Sequence, residues 1–211
     1  QCLVGSEMCI RDRSDVLDDI GLYNCVITGL KCNIGGTKVL GRARTLKIRK
    51  LEKGEDFHGI YDALKSYAEI SDNDIIVVEN ECPDYAYFGE LNTMLSIRSG
   101  ASATIVGGVT RDRDNVMKMN YPVFSKGYNC KDVRKRATLA NFNRTINVLG
   151  VTISPSDLIF ADNDGVVVIP VAYENKIMKA IIEKIGMENN VASEIARYSN
   201  PLDIVEKIGE F

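Results

Sequence analysis

Two arginine–aspartate pairs stand back to back at Arg111-Asp112 and Arg113-Asp114, directly after a β-prone run and two glycines. A guanidinium presents a fork of donors that matches a carboxylate in two-point geometry. Carboxylates supply the hard oxygen ligands that Mg²⁺ or Mn²⁺ prefers. The stretch has two interpretations: a solvated polar turn, or a site for an anionic substrate and a divalent metal.

A second group of candidates opens a predicted helix at residues 90–99, which begins with Glu90 and stops at Gly100. Free amides of Leu91, Asn92 and Thr93 at its N-terminus would favour an anion. The Glu90 carboxylate would add a second metal ligand. An anion cradle beside a metal suits a 2-oxo acid, with the metal acting as a Lewis acid that stabilises an enolate.

The elements around these residues predict that they meet. Residues 75–79 (IIVVE) and 102–106 (SATIV) read as buried strands on either side of the helix, whose Leu91, Met94 and Leu95 are expected to face inward. Such a βαβ unit is right-handed with parallel strands, so both strands end at one sheet edge. Ligands of α/β proteins bind outside such edges.

The alternative explanation needs no ligand. Asp114 could cap a short helix in NVMKM, and Glu90 could complement a helix dipole. Gly107-Gly108 favours a site, because paired glycines permit a close backbone approach that a ligand could exploit.

The remaining chain alternates between α and β patterns. Ser14-Asp15 is expected to cap a helix through Ile20, residues 39–48 form a strand, and residues 59–70 form an amphipathic helix with Ile60, Leu64 and Tyr67 on one face. Residues 121–127 form a further short strand. Residues 143–170 read as a β-meander, and 171–198 as a helix with a weak point at Gly186.

Composition narrows the class of protein. The 211 residues carry a net charge of −3, 45% hydrophobic and 26% charged side chains, which is typical of a soluble globular protein and gives no reason to expect nucleic acid or membrane as a partner. No apolar run approaches the roughly 20 residues of a membrane span. Six cysteines without zinc-like spacing predict reduced thiols and a cytoplasmic location.

Residues 1–13 have no periodicity, and EMCIRD reads like the translation of a DNA-library adapter, so we interpret 1–13 as an artefact. A native N-terminal arm is the alternative. Residues 14–211 are predicted to form a single domain.

Other polar residues offer weaker candidates. His58 is the only histidine and would be a poor general base, while Asp157, Asp162 and Asp164 are typical of turns. A basic set is most simply a solvated face: Lys126, Arg134, Lys135 and Arg136. The cysteines are most simply core or surface thiols: Cys25, Cys32, Cys82 and Cys130.

From about Ser14 to Pro170 the chain resembles the RraA-like/4-hydroxy-4-methyl-2-oxoglutarate (HMG) aldolase family. The matching pieces, in order, are GRART, GE opening a helix, GASATIVGGVTRD, YPVFSKG and SPSDLIFADNDGVVVIP. The resemblance implies a compact α/β/β fold of the swivelling type, with a β-rich second half and a C-terminal helix. It also implies a homotrimer or hexamer and divalent-metal-dependent cleavage of HMG, 4-carboxy-4-hydroxy-2-oxoadipate or oxaloacetate to pyruvate.

The resemblance also implies residue roles. Arg111 matches the arginine that contacts the pyruvyl carboxylate and keto oxygen, and Asp112 the direct metal ligand. Glu90, often Asp in the family, matches the acid that reaches the metal through water. Leu91, Asn92 and Thr93 match the amide-donating segment. A neighbouring subunit's C-terminal helix supplies a further acid, for which Glu188 is the candidate and Glu183 the alternative.

The sequence therefore predicts a metal-dependent lyase that releases pyruvate from a small 2-oxo acid. A metal-bound water is expected to carry the proton, since no side-chain base is evident. The alternative function is a non-catalytic protein that binds and regulates ribonuclease E.

Overall fold

A computed structural model of the chain describes residues 10–195, apart from the side chains of Asp12 and of residues 185–195. The helices are α1 (Ile10–Asp19), α2 (Glu90–Arg98), α3 (Arg113–Lys118) and α4 (Glu174–Ile195), with 3₁₀ helices at Phe57–Glu69 and Val171–Tyr173. The strands are β1 (Val26–Ile27), β2 (Lys31–Cys32), β3 (Val39–Lys50), β4 (Ile75–Asn80), β5 (Ala103–Val106), β6 (Val109–Thr110), β7 (Val123–Ser125), β8 (Gly127–Tyr128), β9 (Ala137–Phe142), β10 (Ile146–Val148), β11 (Val151–Ile153), β12 (Leu158–Ala161) and β13 (Val166–Ile169).

One mixed sheet organises the described residues, in the order β1-β13-β12-β3-β4-β5-β7-β2, with β9 also pairing with β3. Strands β3, β4, β5 and β7 run parallel, whereas β12 and β13 form an antiparallel hairpin beside β3. Every residue of β5 and β13 is buried, as expected for strands covered on both faces.

Three apolar clusters show how the sheet curls into layers. The central cluster joins the inner faces of the parallel strands and of the β12–β13 hairpin, closed by the hairpin β10–β11. A second cluster lies between the parallel strands and the side that carries the 3₁₀ helix Phe57–Glu69 and α3. The third packs α1 and α4 against β12 and β13. The fold is α/β, with a β-rich second half and a C-terminal helix, as predicted.

The predicted βαβ unit is present as β4, α2 and β5. Ile75 pairs with Ala103 in parallel register, so both strands point their carboxyl ends to the same edge. Glu90 begins the helix between them, and Arg111-Asp112 follow the second strand after the short strand β6.

The expected helix at 59–70 is instead a 3₁₀ helix, Phe57–Glu69. With three residues per turn, positions i and i+3 share a face. Ile60 and Ala63 are therefore buried, and Leu64, predicted to face inward, is exposed.

Helix α2 presents a different face from the one predicted, and of Leu91, Met94 and Leu95 only Leu95 is half-buried. Thr93 and Ser96 are buried, whereas Leu91 and Met94 are 73% and 53% exposed, and Ile97 is exposed as well. The two buried hydroxyls are satisfied within the helix: Thr93 Oγ1 donates to the Gly89 carbonyl and Ser96 Oγ to the Asn92 carbonyl.

The two ends of the described chain pack together. Helix α1 is already formed before Ser14, since it includes Ile10 to Arg13, and the Arg13 guanidinium lies 3.6 Å from the centroid of the Phe160 ring. Helix α4 continues through Gly186 to Ile195, and residues 196–198 of the predicted helix lie outside the described residues. Within residues 10–195, no helix is long and apolar enough to cross a membrane.

Candidate active site

Asp112 connects the two halves of the candidate site. It occupies the N-cap position of α3 in the left-handed region, with φ 57° and ψ 33°. Asp114, expected to cap this helix, lies in its first turn instead. The Asp112 side chain makes no cap bond, because it turns towards α2 and its Oδ2 accepts the backbone N–H of Glu90 at 3.1 Å. The predicted convergence of Glu90 and Asp112 is therefore present.

Arg111 is held between two carboxylates. Its backbone N–H donates to the Phe88 carbonyl at 3.0 Å, which fixes the residue against the loop that precedes α2. Its Nε lies 3.5 Å from Asp112 Oδ2, and its Nη1 donates to Asp132 Oδ2. The guanidinium thus has a defined orientation before any substrate binds.

Asp132 is a site residue that sequence reasoning missed. It reaches Arg111 because β6 pairs in parallel with β8, with Thr110 opposite Tyr128, and Asn129 N–H donates to the Thr110 carbonyl at 2.9 Å. Both segments are too short, at two residues each, to give a sequence pattern.

Two of the three predicted amide donors on α2 remain available. The Thr93 N–H donates to the Gly89 carbonyl at 3.0 Å as the first bond of the helix, so Thr93 is corrected from anion donor to structural residue. Within the described residues, the N–H groups of Leu91 and Asn92 have no acceptor. These two amides, at the positive end of the helix dipole, remain suited to an anion.

Glu90 is a ligand candidate that is already partly engaged. Its Oε2 accepts from Asn115 Nδ2 at 2.9 Å, which directs the carboxylate towards the start of α3. The longer side chain therefore still ends beside the Asp112 segment.

Gly89 is required by the close approach of the site to α2. A Cβ built on Gly89 would lie 2.5 Å from Asp112 Oδ2 and 2.9 Å from Arg111 Cγ. Its backbone is extended, so the constraint is the contact and not the conformation.

The glycine pair Gly107-Gly108 serves the protein's own backbone. A Cβ on Gly108 would lie 2.9 Å from both the Cα and the carbonyl oxygen of Pro83, and one on Gly107 would lie 3.2 Å from the Val78 carbonyl. We expected a ligand to come close to the backbone of this glycine pair, but the loop after β4 occupies that position instead.

Two cavities meet at Arg111. A crevice of about 360 Å³ is lined by Arg111, Asp112, Tyr128, Asn129 and Cys130. A groove of about 480 Å³ runs between the 3₁₀ helix and α2, and it combines the site residues Glu90, Arg111 and Asp132 with apolar side chains that include Tyr61, Leu64 and Leu95. Tyr87 also lines this groove, and it belongs to the loop between β4 and α2 that carries Tyr85, Tyr87 and Phe88.

The donor set at the site suits a hard divalent cation but is incomplete in one chain. Among the described residues, no three His, Cys, Asp or Glu side chains are grouped so as to hold a metal. Asp112 Oδ1 accepts no hydrogen bond from these residues, and Glu90 offers a second carboxylate nearby. Mg²⁺ binds through one or two carboxylates together with waters and substrate oxygens, which fits this pair.

The third predicted ligand cannot be placed. Glu188 lies in α4, but its side chain is outside the described residues. The alternative, Glu183, is exposed on the same helix.

The weaker candidates have structural roles. His58 binds Asp56 Oδ1 at 2.6 Å and stacks on Phe57, and no hydrogen bond or ion pair among the described residues joins it to Arg111 or Asp112. Asp162 accepts from Asp164 N–H in the β12–β13 turn, and Asp157 accepts from Ser154 and Val171 N–H groups.

The residues of the predicted basic face and the cysteines lie in different surroundings. Arg134 lines the groove and lies over the Phe57 ring, and Arg136 lies over the Tyr85 ring. Burial raises the pKa of the Cys25, Cys32 and Cys82 thiols, whereas Cys130 is exposed in the crevice.

The candidate site is therefore an arginine between two acids at the carboxyl edge of a curled mixed sheet in an α/β protein. The family model described as Aldolase/RraA matches residues 11–168. The chain belongs to this RraA-like family.

Two curated relatives illustrate the range of the family. The chain is 30% identical over 173 residues to a protein of Halalkalibacterium halodurans with the provisional name 4-hydroxy-4-methyl-2-oxoglutarate aldolase, covering 81% of this chain and 77% of that one. It is 33% identical over 159 residues to Protein DlpA of Legionella pneumophila, covering 74% of this chain. The chain spans only 25% of the length of DlpA.

A solved structure shares the fold. Streptomyces coelicolor RraAS2, described as an unusual member of the RNase ES inhibitor RraA protein family, superposes with a TM-score of 0.75 at 22% identity, covering 91% of this chain and 92% of that one. At this identity the likeness concerns the fold alone.

Proposed function

We propose that the protein is a divalent-metal-dependent lyase that releases pyruvate from a small 2-oxo acid, by aldol cleavage of an HMG-type substrate, by decarboxylation of oxaloacetate, or by both. One observation carries the proposal: Arg111 lines the crevice together with Asp112 and the groove together with Leu91 and Asn92, and Asp112 Oδ2 accepts the Glu90 N–H at the start of α2. The H. halodurans relative supports the same chemistry through its name.

Each protein group has a stated task in this proposal. Arg111 binds the carboxylate and keto oxygen of the substrate and stabilises negative charge that develops on the keto oxygen as the C–C bond breaks. The N–H groups of Leu91 and Asn92 are further donors for the substrate carboxylate. The defined orientation of Arg111 reduces the reorganisation needed on binding.

Asp112 would bind the metal directly and Glu90 through water. When bound, Mg²⁺ or Mn²⁺ supplies Lewis acidity to the substrate oxygens. The carboxylates of Asp112 and Asp132 flank the Arg111 guanidinium and Glu90 lines the same groove, so an anionic substrate would otherwise meet a net negative group of side chains. A cation removes that electrostatic penalty.

The test is pyruvate release from oxaloacetate and from HMG, with Mg²⁺ or Mn²⁺ and with chelator. We expect metal-dependent turnover that Arg111→Ala lowers by roughly 100-fold or more, the usual cost of removing one charge-stabilising donor. Arg113→Ala is the matched control, because Arg113 is the adjacent arginine and pairs with Asp114 outside the site.

Turnover by the folded protein no greater than that of metal alone would exclude this lyase activity for both substrates. Equal losses in Arg111→Ala and Arg113→Ala would place the site elsewhere.

The metal shell is proposed to be completed in a homotrimer or hexamer, where an acid of α4, Glu188 or Glu183, reaches the site of a neighbouring copy. The exposed apolar face of α2, formed by Leu91, Met94 and Ile97, offers a surface for such assembly. Leu91 of this face also lines the groove beside Arg111, which supports an interface next to the site.

The second candidate function is binding and regulation of ribonuclease E. The likeness to RraAS2 favours it, since that protein is described as belonging to an RNase ES inhibitor family. Co-purification with a ribonuclease E partner that is unchanged by Arg111→Ala, together with absence of turnover, would support this function over catalysis.

A further inference from the structure

Asp132 contacts Arg111 from the side of the groove. Asp132 does not line the crevice beside Asp112, yet its Oδ2 accepts a charge-assisted hydrogen bond from Arg111 Nη1. The two side chains are 37% and 36% exposed, so the pair is partly open to water and its worth lies in geometry more than in stability.

The backbone around Asp132 is fixed by several contacts. Ala86 N–H donates to the Lys131 carbonyl at 2.8 Å, and Val133 N–H donates to the Ala86 carbonyl at 3.2 Å. These bonds bracket Asp132 and attach its segment to the loop that leads into α2.

The Asp132 carboxylate is fixed as well. Its Oδ1 accepts the Arg134 N–H at 2.6 Å, which leaves Oδ2 directed at Arg111. A carboxylate held through its own turn cannot swing away with the arginine, so it sets the orientation of the guanidinium.

Asp112 holds the opposite side of the same guanidinium through Nε. The two acids engage Nε and Nη1, and within the described residues Nη2 has no acceptor. Nη2 of the planar guanidinium is therefore left as a donor for a substrate carboxylate.

We propose that Asp132 is a positioning residue that orients Arg111 for substrate, a role that rests on the proposed lyase function. It touches neither substrate nor metal and acts only through Arg111. Because a displacement of about 1 Å at a reacting centre can cost 100-fold in rate, its loss has a measurable effect.

The experiment compares Asp132→Ala and Asp132→Asn with wild type, and Asp114→Ala serves as the matched control because Asp114 pairs with Arg113 in an exposed Asp–Arg contact. We expect Asp132→Ala to lower kcat/KM for oxaloacetate about 10–100-fold, with a rise in KM that a reduced folded fraction could not produce. Asp132→Asn keeps an acceptor oxygen and should retain more activity than Asp132→Ala.

A double-mutant cycle separates positioning from a general effect. In an Arg111→Ala background, Asp132→Ala should cause no further loss, since Asp132 acts through that side chain. Additive losses would overturn the proposal.

Crystal structures of wild type and Asp132→Ala decide the proposal independently of turnover. The expected result is a reoriented or disordered Arg111 guanidinium in the variant. An unmoved Arg111, or a moved Arg111 with unchanged kcat/KM, would overturn the positioning role. If the wild type shows no turnover, the lyase function fails, and the orientation of Arg111 alone decides whether Asp132 positions it.

Discussion

At the scale of single residues, the site depends on the absence of a side chain at Gly89. The substitution Gly89→Ala places a methyl group 2.5 Å from Asp112 Oδ2, so either the acid or the start of α2 must move. We expect the rate of pyruvate release to fall by about 10–100-fold, while the thermal unfolding midpoint stays close to that of the wild type.

Gly35→Ala is the control for this prediction. An added Cβ at Gly35 would meet no atom within 4 Å, and Gly35 has no positive φ. Similar losses of activity in the two variants would show that the Gly89 contact does not matter.

A second residue-scale prediction concerns thiol reactivity. Cys130 is exposed in the crevice, whereas burial raises the pKa of the Cys25 and Cys82 thiols and lowers their thiolate fraction. An aromatic disulfide reagent at pH 8 should modify Cys130 in the native protein and Cys25 and Cys82 only after unfolding.

Peptide mapping of the labelled protein measures this difference, and Cys130→Ser is the control. Rapid native labelling of Cys25 or Cys82 would contradict the burial of those side chains.

Residue types and spacing sufficed to predict that Glu90 and Arg111-Asp112 converge, because parallel strands end at one sheet edge. Asp132 could not be predicted in this way. Its position follows from a two-residue parallel pairing and an isolated bridge to Ala86, neither of which has a periodic signature.

At the scale of elements, α2 shows where pattern reasoning failed. Its apolar residues suggested an inward face, but the inward positions carry Thr93 and Ser96, which form hydrogen bonds within their own helix. A pattern of apolar residues indicates a face that packs against something, but it does not tell whether the partner is the same chain or another one. An apolar face on the surface of a monomer is typical of an interface.

The exposed apolar face of α2 leads to a prediction about assembly. Met94→Asp places a charge on the exposed face of α2 and should shift the protein towards monomer, while the monomer fold is retained because the side chain is 53% exposed. Light scattering coupled to size exclusion measures the mass.

Tyr23→Asp is the control, since Tyr23 is similarly exposed on a segment before β1. An unchanged oligomer in Met94→Asp, or a monomeric wild type, would contradict assembly through this face.

The tether of helix α4 gives a prediction about pH. Arg42 Nη1 and Nη2 donate to the two carboxylate oxygens of Glu174 at 2.7 and 2.8 Å, and these bonds lower the pKa of Glu174 below its ordinary value of 4.5. A depressed folded-state pKa gives stability that is present above pH 4.5 and lost as pH falls through the depressed value.

We therefore expect Glu174→Gln to lower the free energy of unfolding at pH 7 by up to about 1 kcal/mol, since the pair is partly exposed. The difference from wild type should shrink below pH 4.5. Urea unfolding at several pH values measures it, and a difference that is constant with pH would contradict the ion-pair origin.

At the scale of the whole molecule, the alternation of α and β segments predicted the fold class, and the β-rich second half was predicted from turn residues in 143–170. The curling of one sheet around a shared inner cluster could not be predicted, because it depends on contacts between segments far apart in sequence, such as that of β10 with β4. The 3₁₀ form of Phe57–Glu69 likewise depends on its packing against β9.

Arg111 forms part of the wall of both the crevice and the groove. This geometry leaves room for two small molecules on either side of one guanidinium, an anionic fragment in the crevice and an apolar fragment beside Tyr61 and Leu64 in the groove. Joining them with a short linker would make the second contact intramolecular, and the gain in effective concentration could raise affinity by about 100-fold or more without any new contact. Because Arg111 lies in the wall of both cavities, this protein suits bivalent inhibitors that occupy the crevice and the groove together.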